Sequence, residues 1–319
     1  MPYNRDTQLS LALSRFARHR GAVVSIIILS VMSIAALGAP LLSRSDPEKI
    51  NLREIHQPPS TAHILGTDKL GYDVFSRLIW GARISLMVGF GSVFISVFIG
   101  LLLGVLAGYY GGWIDGTVLH ITNALLSLPS LLLVAIFVSI IGPSLKSVIV
   151  VISLLSWPSI SRLVRGQILA VRETEFIVAA RVIGASDWQV IFRHLLPNIL
   201  GSVAVAATFF MAQAILLEAA LSFLGLGVRP PAPSWGNIFT LATNVNVLQH
   251  MPWVWIPPAT SIALVVLAHF FWGTVYETLL THVPQDQVEP RMLVILTHRV
   301  LALIDYGLFD VDQILYGLY

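Results

Sequence analysis

Long runs free of Asp, Glu, Lys and Arg constrain this chain more than any other feature. Residues 21–43 form one such run and residues 84–114 another. A hydrocarbon layer about 30 Å thick is crossed by roughly 20 apolar residues of helix. Inside it the backbone has no water to bond, so a spanning segment satisfies its own polar groups, as a helix does. Only 11% of the 319 residues are charged and 56% are hydrophobic, with a mean hydropathy of +0.80. Soluble domains carry about 25% charged residues. An ordinary cytosolic enzyme, a nucleic-acid binder and a disordered tail protein are all excluded, and lipid is an expected partner. There is no cysteine, so disulfides, thiolate metal sites and a cysteine nucleophile are excluded as well.

The runs predict an all-α, polytopic membrane protein with about six spans. The first covers about 21–42 and closes at Pro40. It is too long and too poorly terminated for a cleaved leader. The second covers 84–108, the third 117–141, ending at Gly142-Pro143. The fourth begins after Lys146 and is short, with a kink expected at Pro158 because proline removes a backbone donor. The fifth covers 199–221 and the sixth 253–276. The expected organisation is an N-terminal segment 1–20, a first helix 21–42, an external loop 43–83, a core 84–276 that includes a cytoplasmic loop 160–198, and a tail 277–319 with one amphipathic helix near 291–304. Short basic flanks set orientation. Arg5, Arg15, Arg18 and Arg20 precede the first span. Arg162, Arg165, Arg172, Arg181 and Arg193 lie between the fourth and fifth. Six crossings put both on one side, so the N-terminus is expected to be cytoplasmic. Loop 43–83 is also basic, and the first helix decides the conflict.

The segment 160–198 is more than a tether. Phe176, Ala179, Ala180 and Ile183 follow i, i+3, i+4, i+7 spacing, one face of a helix. Gly184 breaks the run. Ser186 and Gln189 then have the spacing of a capping box, which starts a second helix that continues through Val190, Ile191 and His194 to Pro197. Two short helices with a glycine elbow fit docking into a groove on a partner protein. They also fit an amphipathic helix lying on anionic lipid. The small residues Ala179, Ala180, Gly184 and Ala185 favour the protein partner, because lipid gains nothing from them.

The run Ala179-Ala180-(x3)-Gly184-(x9)-His194-Leu195-Leu196-Pro197 resembles the EAA loop of ABC-importer permease subunits, with Val178 where that motif often has its acid. Two more runs resemble the dipeptide, oligopeptide and nickel branch of that family, C-type permeases. One is His63-Ile64-Leu65-Gly66-Thr67-Asp68 continuing through Leu70-Gly71-Tyr72-Asp73-Val74-Phe75-Ser76-Arg77-Leu78 to Gly81-Ala82-Arg83-Ile84-Ser85-Leu86, with Tyr72 in place of the usual Arg. The other is Glu218-Ala219-Ala220-Leu221-Ser222-Phe223-Leu224-Gly225-Leu226-Gly227-Val228-Arg229-Pro230-Pro231 with Pro233-Ser234-Trp235-Gly236. These matches cover about 60–268. From Phe271 onward the family's usual ending is not found.

The resemblance implies a transmembrane permease of an ATP-driven importer in the cell (inner) membrane. It implies cargo such as peptides, a second homologous permease in a heterodimer, two ATP-binding subunits, an extracytoplasmic solute-binding protein, and no nucleic acid. It implies that Phe176, Ala179, Ala180, Arg181, Gly184, Ala185, Asp187, His194 and Pro197 couple the chain to the ATPase. An ion-coupled secondary transporter or a non-transporting membrane scaffold are the alternatives.

Glu218 is the one acid inside an expected span. Ionisable groups there are costly and mark function by default, so Glu218 is expected either to face the translocation path or tie span five to a neighbouring loop, with Arg229 as an outer partner, or, as the plainer reading, to cap or pair structurally at the interface. His120 and His269 are expected to make helix–helix hydrogen bonds. His56, His63 and Asp68 lack metal-ligand spacing. Gly100, Gly104 and Gly108 form a close-packing stripe. Trp80, Tyr109, Tyr110, Trp113, Trp235, Trp253 and Trp255 cluster at span ends as an aromatic belt. Residues 229–233 form a stiff outer loop. The sequence has no G-x4-G-K-[ST] run, so no phosphate-cradling loop, and no catalytic constellation. It is expected not to be an enzyme and to need no cofactor or metal.

Overall fold

The computed structural model describes residues 20–281, with side chains to 273. Among the described residues the regular structure is helical. Helices α1 (Arg20–Leu37) and α2 (Ala39–Leu42) lead into an irregular outer loop. Then follow α3 (Val74–Tyr110), α4 (Gly112–Leu126), α5 (Ser130–Ile141), α6 (Leu145–Arg172), α7 (Glu175–Val182) and α8 (Asp187–Gln189). A π-helical turn, Val190–Leu195, joins α8 to α9 (Leu196–Phe223). Short α10 (Trp235–Phe239) and α11 (Val245–His250) precede α12 (Pro252–Thr281). Five of these segments are long and apolar enough to cross a membrane, and six if the bent pair α4–α5 counts as one. Apolar residues such as Phe94 and Ile140 point outward, whereas Ser85, Ser92, Ser96 and Ser153 are buried. That distribution is stable only where the surroundings are as apolar as the core.

Three expected boundaries move. The helix that holds the second span starts not at 84 but at Val74, where Asp73 accepts the Ser76 amide at 3.0 Å as N-cap. The resulting 37-residue α3 is about 55 Å long at 1.5 Å per residue, well beyond the hydrocarbon layer. The third span is broken. Pro129 leaves a gap between α4 and α5, and the two helices meet at 89°. The fourth continues as one helix past Pro158 to Arg172, so residues 160–172 are a helical extension packed on α3 and α4 rather than the start of a separate segment. The arginines that seemed to end that span find polar partners sideways. Arg165 pairs with Asp115 of α4, Arg162 donates to Asn123 Oδ1 at 3.1 Å, and Arg172 donates to the Gly108 carbonyl at 2.8 Å. The amphipathic helix expected near 291–304 lies outside the described residues.

The glycine stripe decides how α3 meets α6. A Cβ on Gly100 would lie 2.7 Å from Ile160, one on Gly104 2.6 Å from the Ser161 carbonyl, and one on Gly108 2.8 Å from Ile168. The two backbones approach so closely only because there are no side chains between them. Val105, Ile160, Val164 and Ile168 continue this contact into a cluster with Ile177, Val190, Ile191, Leu195, Ile199 and Val203. The inner end of the bundle and the segment 173–195 therefore share one apolar core.

The outer end is tied by polar contacts. Arg77, in the first turn of α3, is buried and donates to the Pro47 and Pro231 carbonyls at 3.1 and 3.3 Å, with its guanidinium 4.2 Å from the Tyr72 ring centre. Asp68 Oδ1 accepts the Leu70 and Tyr72 amides. The contacts Ser45–Ser76 and Arg77–Pro231 place the outer loop, the 229–233 loop and the start of α3 together. The start of α1 and the 173–186 elbow lie at the opposite end.

Candidate functional site

The elbow is built from local rules. Gly184 has φ +89°, a left-handed conformation that costs a side-chain-bearing residue energy but costs glycine little. The Gly184 amide donates to the Arg181 carbonyl and the Ala185 amide to the Ala180 carbonyl, both at 3.0 Å. This paired pattern is a Schellman motif, which closes α7 by satisfying its last carbonyls. One residue later Ser186 caps the next helix. Its hydroxyl accepts the Gln189 amide, and the Gln189 side chain accepts the Ser186 amide. The chain thus reverses between α7 and α8 within four residues, 183–186.

The helix face expected from the sequence is divided. Ile177 and Ala180 of α7 point inward, where Ile177 joins Val190, Ile191 and Leu195 in the apolar core, with Ala185 packed against it. Phe176, Ala179, Arg181 and Ile183 point outward instead. The stretch is apolar on both sides, so spacing alone did not say which side met the bundle. Ile177 was the missed residue, and the long apolar side chain three before Ala180 was the signal. Gly184 and Asp187 are exposed, His194 is half-buried on the π-helical turn, and Pro197 is exposed in the first turn of α9.

The outward face carries an apolar surface at the end of the bundle. Val182 and Ile183 are 81% and 85% exposed, and Trp188 is 68% exposed. The Trp188 and Phe192 rings lie 3.8 Å apart. Glu175, Arg181 and Asp187 of the same two helices are also exposed. Two inner-end groups that the sequence reading did not assign to the elbow, Tyr109 and Arg172, lie against it. Tyr109 Oη donates to Asp187 Oδ1 at 2.6 Å, the Arg181 guanidinium lies 5.2 Å from the Tyr109 ring centre, and Arg172 holds the Gly108 carbonyl. Tyr109 had been read as part of the aromatic belt.

Glu218 is fully buried. It accepts from Ser234 Oγ at 2.7 Å, Ser222 Oγ at 2.8 Å and Ser85 Oγ at 3.1 Å. Ser85 Oγ in turn accepts the Trp235 amide. The partners are serines on α3, α9 and the cap of α10, not Arg229, which is exposed. This carboxyl joins three segments near the outer end. His269 is buried, with Nδ1 2.7 Å from the Val265 carbonyl of its own helix, and His120 is exposed. Among the described residues neither makes the expected bond between helices. In the outer loop, His63 lies 3.2 Å from both Asp73 and Glu54. Desolvation pulls its pKa down, but hydrogen bonds to Asp73 and Glu54 outweigh it and the pKa is raised.

Residues 100–285 match the family described as "Binding-protein-dependent transport system inner membrane component", and residues 7–59 match the "N-terminal TM domain of oligopeptide transport permease C". This chain belongs to that transport family. The match reaches residue 285, beyond the point near Phe271 where the resemblance was expected to stop. A putative peptide permease protein of Brucella suis biovar 1 is 42% identical over 265 residues, 83% of this chain and 88% of the relative. A dipeptide transport system permease protein of Alkalihalophilus pseudofirmus is 41% identical over 256 residues, 80% of this chain and 84% of the relative. Among solved structures, an inward-facing form of the MetNI methionine ABC transporter has a TM-score of 0.51 and 25% identity over 64% of this chain and 97% of that one. The chain is a multi-pass inner-membrane permease component of an ABC importer, working with other subunits of that system. Family membership removes the support for an ion-coupled secondary transporter or a scaffold.

Proposed function

We propose that this permease imports peptides delivered by an external binding protein, and that its 173–197 segment is the plug into an ATP-hydrolysing subunit. The exposed apolar patch of Val182, Ile183 and Trp188 carries this reading. It stands on a locally fixed elbow whose inward face shares a core with α3, α6 and α9. An exposed apolar patch marks a protein-binding surface. Phe176, Ala179, Arg181, Gly184 and Asp187 sit on its outward side. Ala180 and Ala185 serve it from beneath, as small residues that let α7 lie close to the π-helical turn. His194 and Pro197 pass movement into α9. The N-terminus lies in the cytoplasm, which is supported by Arg20 and the elbow sharing one end of the bundle. A second permease completes the pathway, and two ATPase subunits bind the paired elbows. The substrate class rests on relatives named for peptides. Glu218 fixes the outer end of the bundle through its three serines. Nucleotide biases two states of the assembly, and the elbow carries that bias to the spans. The test is ATP-dependent uptake of a labelled dipeptide by proteoliposomes holding the co-purified complex. Uptake that needs both ATP and the binding protein is expected. Uptake driven by an ion gradient without ATP overturns the proposal.

A further inference from the structure

We infer that Tyr109 is a positioning residue, a latch through which the elbow moves α3 and, along α3, the outer loops. The inference rests on the coupling function proposed for the elbow. Tyr109 is the penultimate residue of α3, and both arms of the elbow grip it. From α7, Arg181 lies against its ring at 5.2 Å. From the first residue of α8, Asp187 accepts its hydroxyl at 2.6 Å. Next to it, Arg172 at the end of α6 donates to the Gly108 carbonyl. A cation there complements the negative end of the α3 dipole.

From this joint α3 runs as a single helix of 37 residues to Asp73. Its outer turn is fixed in the same manner, by Arg77 to the Pro47 and Pro231 carbonyls and by Asp73 beside His63. The glycine stripe holds the inner end of the rod flush against α6. A helix without a break transmits axial displacement, whereas α4–α5, bent by 89°, does not. Among the segments that start at the inner end, α3 alone has its terminal side chain bonded to the elbow's turn and its opposite end bonded to two outer loops, within the described residues. A displacement of the elbow by an ATPase therefore reaches the outer face through Tyr109 and Arg77, a route separate from the covalent one through α9.

The chain has no cysteine, so a single introduced thiol reports one place. An environment-sensitive fluorophore is attached at Ile183→Cys in one preparation and at Arg229→Cys in another, each assembled with the co-purifying ATPase. The measured quantity is the nucleotide-induced signal at the outer probe relative to that at the elbow probe. Tyr109→Phe keeps the ring and removes only the hydroxyl. Asp187→Ala removes the acceptor of that hydroxyl. A hydrogen bond to a charged group corresponds to about a tenfold equilibrium factor, so each variant is expected to lower the ratio about tenfold. The double variant is expected to do no worse than either single one, because both remove the same bond. A purely structural role for Tyr109 would lower the melting temperature without changing this ratio. An unchanged ratio in both single variants, or strictly additive effects in the double, overturns the latch. If the parent's elbow probe shows no response to nucleotide while the ATPase is bound, the coupling reading itself fails, and the latch with it.

Discussion

Replacing Gly184 separates the cost of the elbow's backbone from the cost of covering it. At φ +89° a Cβ is strained, yet a Cβ built there meets no atom within 4 Å. In the isolated chain the penalty is therefore conformational alone, about 1 kcal/mol for alanine, or a roughly fivefold shift in the elbow equilibrium. Asparagine tolerates the left-handed region better and is expected to lose less. Tryptophan carries the same backbone strain as alanine, and its Cβ meets no atom of this chain within 4 Å. The melting temperatures of Gly184→Ala and Gly184→Trp in detergent are thus expected to agree to within about 0.5 kcal/mol, the usual spread for exposed sites. Binding to a purified ATPase subunit is expected to divide them. Overpacking a filled contact costs about 1–3 kcal/mol, so Gly184→Trp should bind roughly fivefold to 150-fold more weakly than Gly184→Ala. Immobilised chain titrated with the ATPase reads both numbers. Equal affinity for the alanine and tryptophan variants would show that nothing packs on the elbow, and the docking argument would be refuted.

Three other expectations concern the scaffold. Gly104→Ala forces a Cβ to 2.6 Å from the Ser161 carbonyl and is expected to cost about 1–3 kcal/mol as a lower melting temperature. Gly116→Ala, with nothing within 4 Å, should cause no loss, and equal melting of the two would contradict the α3–α6 contact. Glu218→Ala leaves three buried serine hydroxyls without their acceptor and is expected to destabilise by about 2–4 kcal/mol, with Glu218→Gln milder. If alanine melts like the parent, the carboxyl does not join α3, α9 and α10. The raised pKa of His63 means the folded outer loop holds the proton more tightly than the unfolded chain. Its stabilisation is complete below about pH 6.5 and is lost as pH rises through the raised value. Proteolysis of the 43–73 loop should accelerate across that window in the parent and not in His63→Gln.

The sequence showed the helical class, a multi-span arrangement and the elbow, because charge-free length, Gly184 and the Ser186–Gln189 spacing are local signals. It was less informative where a partner distant in sequence decides. Arg162, Arg165 and Arg172 looked like the end of a span, but Asn123, Asp115 and the Gly108 carbonyl receive them within the bundle. Asp73 caps α3 ten residues before the charges thin out. The break before Ser130 was written in Pro129, whose effect on a run of apolar residues was overlooked. The buried side of α7 was ambiguous because Ile177 and Ile183 are both aliphatic. Only the position of the core, built from α6 and α9, chooses Ile177. Glu218 was visible as an anomaly, but two of its three serine partners come from residues 133 positions before and 16 after it.

The central claim is that the elbow meets an ATPase on the cytoplasmic side, and the absence of native cysteine allows a direct test. Ile183→Cys places one thiol at the most exposed point of the patch. In membranes containing the whole transporter, a short bifunctional thiol reagent is expected to join it to the ATPase subunit, and a membrane-impermeant thiol reagent outside intact cells is expected not to reach it. Labelling from outside, or no cross-link to any ATPase while the assembled complex is intact, would contradict the account.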